Sequence, residues 1–341
     1  MINQRRLFTL FLLLSGLPAV GQQAPYENLV FEGAGMRGIA YSGVLKEMEQ
    51  QDILDDIERV GGTSAGAITA LMVSRGYNSE EIFTIISETR FQQFNDGRFL
   101  FVGGIARLNK RYGWYRGQRF SRWISQIIAD KTGDPEITFA DLRAAGFKDL
   151  HVTGASLTRQ QLLVFSAETY PNMKVRDALR ASMSIPLYFE ALHIDSVGAV
   201  YREQNEAGSL DLIVDGGITG NYPIFLFDSI AYDSLGQGVR IANPHTIGVR
   251  IDSDAQIERD SADHELAPIP IDGLKDYMQA FYVMVFESLN RAPLIEEDWE
   301  RSISVSARGI SPRIKKMSRE QLDTLIQSGE ESTSRFLAAA R

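Results

Sequence analysis

Three short motifs in this chain carry residue types that do chemistry together. Gly62-Thr63-Ser64-Ala65-Gly66 sets a serine between two glycines. A serine hydroxyl attacks an acyl carbon only when a base takes its proton and a site stands ready for negative charge. Small neighbours on both sides suit a sharp strand-to-helix turn, which exposes the hydroxyl over the positive end of the following helix. The same letters fit a serine that only caps a helix; a strand before Ser64 and a helix after it favour the nucleophile. Gly33-Ala34-Gly35-Met36-Arg37-Gly38 is a glycine-rich turn in the same strand-to-helix context. Its backbone N–H groups can hold a pyrophosphate or a developing oxyanion. A dinucleotide site also needs an acidic residue at the end of the next strand, to hold the ribose. That strand ends instead in Gly61-Gly62-Thr63-Ser64. The third motif is Asp215-Gly216-Gly217, with Asn221 and Pro223 just after. A carboxylate at the end of an apolar strand lies where open α/β sheets keep their sites, although Asp-Gly is also a common turn pair.

A serine and an aspartate raise the question of a base. The chain has four histidines. His151 and His193 read as strand residues and His264 as a solvated side chain in an acidic loop. His245 would complete the Ser, Asp, His order of an α/β-hydrolase triad. It follows Pro244 at the start of a strand, however, rather than lying on a loop beyond the last one.

The elements that must position these groups follow from hydrophobic periodicity. Strands are predicted at residues 28–32, 57–61, 150–157, 161–166, 210–214 and 246–251. Helices are predicted at 39–50, 65–75, 120–129, 175–182, 274–290 and after 318, with a capping box at Asn78 and Glu81 starting one more. Strand–helix–strand–helix is the opening of an α/β fold with parallel strands.

Composition narrows the classes. Of 341 residues, 44% are hydrophobic and 23% charged, enough for a sizeable core. The formal net charge of −9 argues against a nucleic-acid binder. With no cysteine, disulfides, cysteine metal sites and a cysteine nucleophile are excluded. Arg5 and Arg6 precede an apolar run at residues 7–20, too short to span a membrane. Residues 1–21 therefore read as a signal peptide cleaved before Gln22, and the mature protein as soluble and exported, periplasmic or secreted. Residues 90–119 hold seven basic side chains, one acidic and several aromatic ones. They read either as a connector whose rings fill the core or as a transient contact with an anionic membrane surface.

Together, the stretches Gly33–Gly38, Gly62–Gly66 and Asp215–Gly217 resemble the patatin-like phospholipases in order and spacing. Gly113-Trp114-Tyr115-Arg116-Gly117, Thr138-Phe139-Ala140-Asp141-Leu142, Ala181-Ser182-Met183-Ser184-Ile185-Pro186 and Asn221-Tyr222-Pro223 look like the same family. The resemblance implies a three-layer α/β/α fold with a mostly parallel central sheet. It places the catalytic core at residues 28–228 and leaves 229–341 as a C-terminal extension packed on the same domain. It implies a lipid or phospholipid substrate, no cofactor and no metal. Ser64 would be the nucleophile and Asp215 its base, without a histidine. Gly33, Ala34, Gly35, Met36, Arg37 and Gly38 would form the oxyanion turn. Gly62, Thr63, Ala65 and Gly66 would shape the elbow, with Gly216 and Gly217 completing the aspartate motif. The family often has three consecutive glycines where Ala34 interrupts this turn; a methyl group restricts φ there. Three rivals stand beside this reading. They are a Ser64–Asp215–His245 esterase, a nucleotide-binding protein using the Gly33–Gly38 turn, and a catalytically silent binding protein, against which intact Ser64 and Asp215 argue. Oligomeric state is not legible.

Overall fold

The computed structural model describes residues 26–97, 102–201, 209–234, 236–313 and 316–339. The expected leader lies outside the described residues. The main sheet has nine strands: β1 (Asn28–Phe31), β2 (Arg59–Gly62), β3 (Asp149–Ser156), β4 (Gln161–Phe165), β5 (Leu192–Ile194), β6 (Val200–Tyr201), β7 (Asp211–Asp215), β8 (Thr246–Asp252) and β9 (Ser302–Ser306). Their order is β9-β8-β1-β2-β3-β7-β5-β6, with β4 also pairing β3. The strands from β9 to β3 are parallel, and those beyond β3 pair antiparallel. After Asp228 the chain contributes β8 and β9 to this same sheet, so its C-terminal third is woven into the core layer.

Alternation along the strands separates two faces. Leu29, Phe31, Val60, Ile247 and Val249 are buried under the helical layer and belong to one large core cluster. That layer includes α1 (Ala40–Gln50), α2 (Ala65–Ser74), α3 (Val175–Ser182) and the last helix, Arg319–Ala339. α1 and the last helix cross closely because Gly43 and Gly329 lack side chains. A Cβ on Gly43 would lie 2.0 Å from the Ile326 carbonyl oxygen. The opposite face is covered more thinly. Leu226 lies over Gly61, while Tyr222 and Ile224 lie over Gly248.

The topology also fixes where the motifs meet. β2 runs parallel to β3 and ends with Gly62 beside Val152. β7 runs antiparallel to β3 and ends with Asp215 beside Gly154. β4 occupies the other edge of β3 at both places. β2 and β7 therefore run toward each other along one edge, and their carboxyl ends meet at Thr153.

Candidate active site

Ser64 is the residue between β2 and α2, with φ 52° and ψ −119°. This is a strained backbone for a residue with a side chain. The turn holds because its flanks are glycines in close packing. A Cβ on Gly62 would lie 2.6 Å from the Gly66 carbonyl carbon, and one on Gly66 would lie 2.4 Å from the Glu32 carbonyl oxygen. Ser64 is 8% exposed. Its N–H donates to the Ser182 hydroxyl at 2.8 Å, which fixes the turn from α3. Its hydroxyl donates toward Met183 Sδ at 3.2 Å and also lies near enough to the Asp215 carboxylate to favour the charged form. Of these two acceptors the carboxylate is much the stronger.

Asp215 is 6% exposed. Its Oδ1 accepts the Gly217 N–H at 2.8 Å, and its own N–H donates to the Ser184 carbonyl at 3.0 Å. Burial pushes the Asp215 carboxyl up to about 6, against smaller opposing effects of the Gly217 N–H and the Ser64 hydroxyl. A carboxylate with that affinity for a proton is a far better base than one in water. The Thr153 hydroxyl seals the junction. It shares a 2.6 Å hydrogen bond with the Thr63 hydroxyl, and a Cβ on Gly216 would lie 2.5 Å from it.

The glycine-rich turn sits beside Ser64. The Gly33 N–H donates to the Asn221 carbonyl at 2.9 Å and the Met36 N–H to the Pro312 carbonyl at 3.1 Å. Among the described residues the N–H groups of Ala34, Gly35 and Ala65 have no hydrogen-bond partner. Three donors near one serine can receive an oxyanion. Gly35 has φ +55°, where glycine is favoured. Ala34 has φ −122° and is buried in the core, so its methyl group costs no strain and lies outside the cavity lining. Glu32 braces the turn. Its Oε1 accepts from Asn221 Nδ2 at 3.2 Å and its Oε2 from the Ile251 N–H at 2.9 Å. Burial, with Asp252 adding to it and Arg250 opposing, pushes the Glu32 carboxyl up to about 7.

Ser64 lines a cavity of about 410 Å³. Ile39, Ile68, Phe91, Met183, Ile185 and Phe189 are among its walls, which are almost wholly apolar.

The sequence model for patatin-like phospholipase matches residues 29–228, more than half of the chain. The chain belongs to the patatin-like phospholipase family. Among its relatives are an uncharacterised Bacillus subtilis protein, YqhO, at 31% identity over 59% of this chain and 67% of that protein. An uncharacterised protein of Acanthamoeba polyphaga mimivirus, R571, is 30% identical over 63% of this chain and 65% of its own length. A protein described as a probable lipid hydrolase of Invertebrate iridescent virus 6 is 25% identical over 58% and 62%. The match thus spans about two thirds of the length of these curated relatives. In fold, the chain resembles VipD from Legionella pneumophila, with a TM-score of 0.58 and 14% identity over 92% of this chain and 67% of that one.

The patatin-like frame holds the three motifs together and leaves every histidine outside. A Ser64–Asp215–His245 triad does not form. His245 precedes β8 at the amino end of the parallel strands, where its carbonyl accepts the N–H groups of Glu27 and Asn28, while Ser64 lies beyond their carboxyl ends. His151 is buried against Phe227, which drives its pKa down to about 4. His264 stacks on Trp299 at 4.6 Å. None of the four lines the cavity. The glycine-rich turn lines the apolar cavity through Gly35, Met36 and Gly38.

Several contributors went unassigned at the level of sequence. Ser182, Met183 and Ser184 clamp Ser64 and Asp215 from one segment, although only their likeness to a family stretch was legible. Asn221 ties the glycine turn to the aspartate turn, and the Pro312 carbonyl meets the glycine turn from the far end of the chain. Among the described aromatic residues of 90–119, Phe94 is buried and Phe91 and Tyr115 pack against the core, while Tyr112 is 46% exposed. Phe94 packs against Phe120 and Trp123, and Arg107 is buried with its Nε on the Trp114 carbonyl at 2.8 Å. Phe99 and Phe101 lie outside the described residues.

Proposed function

We propose that this protein is an exported lipid acyl hydrolase that cleaves carboxylic esters of phospholipids or lysophospholipids through a Ser64–Asp215 dyad. The observation that carries the reading is a serine lining an apolar cavity, with its hydroxyl beside a buried carboxylate of raised proton affinity. The acyl chain occupies the cavity and brings its ester carbonyl to Ser64. Asp215 takes the hydroxyl proton as the oxygen attacks, and the N–H groups of Ala34, Gly35 and Ala65 receive the oxyanion. Collapse expels the alcohol, which takes the proton back from Asp215 and leaves an acyl-serine. Water then gives its proton to Asp215, attacks the acyl carbon and releases the fatty acid, and the proton returns to Ser64. One fixed oxyanion donor is worth a factor of about 10²–10³ in rate.

The test is fatty-acid release from phosphatidylcholine and lysophosphatidylcholine by the wild type and by Ser64→Ala. Release by the wild type that vanishes in a folded Ser64→Ala protein is the expected result. Release that persists in the variant, or a wild type inert toward both lipids and short-chain esters, would remove the proposal. Export is read from the N-terminus. Protein recovered from the periplasm or medium is expected to begin at Gln22, and a terminus at Met1 would contradict that part.

A further inference from the structure

The helix α4 (Leu274–Arg291) turns most of its large apolar side chains outward. An ordinary surface helix turns its apolar stripe to the core and its polar residues to water. Here Leu274, Tyr277, Met278, Phe281, Met284 and Leu289 form the outer stripe, with Leu274 77% and Phe281 52% exposed. The stripe carries no charged side chain. The inward positions are mixed, with Ala280, Val283 and Phe286 half-buried beside polar groups. Asn290 is buried, Glu287 is pushed up by burial, and Arg291 Nη1 bonds Asp260 Oδ1 at 2.7 Å. The helix is also fastened to the candidate catalytic turn. Asn290 Oδ1 accepts the Asn221 N–H at 2.8 Å, and its Nδ2 donates to the Gly217 carbonyl at 3.2 Å. Tyr282 lies within electrostatic reach of Asp215.

We propose that the outer face of α4 docks this protein on a lipid bilayer surface, beside the site that takes its substrate. The proposal rests on the acyl-hydrolase reading for the identity of the surface. Three features select a bilayer over a protein partner. The face is uncharged and mixes aliphatic, methionine and aromatic side chains, which suits the boundary between headgroups and acyl chains. It belongs to a helix pinned through Asn290 to the Asp215–Gly217 turn, and its exposed Tyr282 lies within electrostatic reach of Asp215. Finally, the substrate of the proposed reaction is itself held in a bilayer. No helix among the described residues is long and apolar enough to cross a membrane, so α4 lies on the surface and does not pass through it. At 1.5 Å per residue it lays down a strip about 27 Å long. This placement puts the membrane contact on a segment that composition does not mark as basic.

The experiment uses vesicles of pure phosphatidylcholine and the full chain carrying Ser64→Ala, so that the vesicles survive. This protein is expected to sediment with the vesicles at low salt and equally at about 0.5 M salt, where exposed charges are screened. Adding Met278→Ser, Phe281→Ser and Met284→Ser is expected to lower the partition coefficient at least tenfold, since burying one such side chain is worth roughly that factor. On the active background the triple substitution is expected to leave hydrolysis of a water-soluble short-chain ester unchanged. Equal sedimentation of the triple variant would overturn the proposal. So would binding that needs anionic lipid and disappears in salt, or a dimer in solution that the triple variant dissociates. Because docking is read on an inactive protein, vesicle binding without any ester hydrolysis would sink the hydrolase reading while leaving the docking face in place.

Discussion

Replacing Asp215 by Asn should kill the enzyme and make it more stable. The carboxyl is buried, and its pKa stands at about 6 against an ordinary 3.8. The folded protein thus holds this proton more tightly than the unfolded chain does. Below about pH 3.8 both states are protonated and the group costs nothing. As pH rises through the window from 3.8 to 6 the unfolded chain releases its proton first, and folding loses stability. Above about pH 6 the whole penalty is present, and at ~1.4 kcal/mol per pH unit it comes to about 3 kcal/mol. Asparagine keeps the shape and keeps an oxygen for the Gly217 N–H, 2.8 Å away in the native protein, but carries no charge to desolvate. Chemical denaturation of Asp215→Asn and wild type across this range should show a difference near zero at pH 4. It should grow to about 1–3 kcal/mol in favour of the variant near pH 8, with turnover abolished throughout. A variant less stable than the wild type near pH 8, or a difference that does not change with pH, would refute the account of a buried, ionised base.

Three further outcomes follow. The kcat/KM of the wild type should fall about tenfold per pH unit below about pH 6, as Asp215 takes up its proton; a profile flat to pH 4.5 contradicts this. Ser182→Ala leaves the Ser64 N–H without its partner, so it should cost about 1–3 kcal/mol in denaturant melts. It should also lower kcat more than it raises KM, and unchanged kcat would show that Ser182 does not position the elbow. Activity should survive excess chelator, because no step in the proposed reaction calls on a metal, and loss that calcium or zinc restores would overturn that step sequence.

The elements bearing the motifs were legible because their signals are local. β1 is a short apolar run just before the Gly33 turn, β2 ends in two glycines, and the Asn78–Glu81 capping box forms as its letters suggest. What the sequence could not carry was pairing. Nothing in residues 211–215 says that this strand runs against the same edge of β3 as β2, and only that arrangement brings Asp215 to Ser64. β9 was missed although Ser302-Ile303-Ser304-Val305-Ser306 alternates cleanly, because five residues are too few for periodicity to decide. The aromatic residues of 90–119 show the limit of composition, since rings beside arginines describe a membrane contact and a buried Phe94–Phe120–Trp123 cluster equally well. α4 shows the limit of amphipathicity. The pattern gives a helix that is apolar on more than one face and does not say which of them meets the protein.

The central claim is that Ser64 is activated by Asp215 and by no histidine. A fluorophosphonate that phosphonylates active serines, read by intact-protein mass and peptide mapping, tests it most directly. The account predicts one adduct, on Ser64, in the wild type and in each of His151→Gln, His193→Gln, His245→Gln and His264→Gln, and none in Ser64→Ala or Asp215→Asn. Labelling that persists in Asp215→Asn, or that disappears in any folded histidine variant, would contradict it.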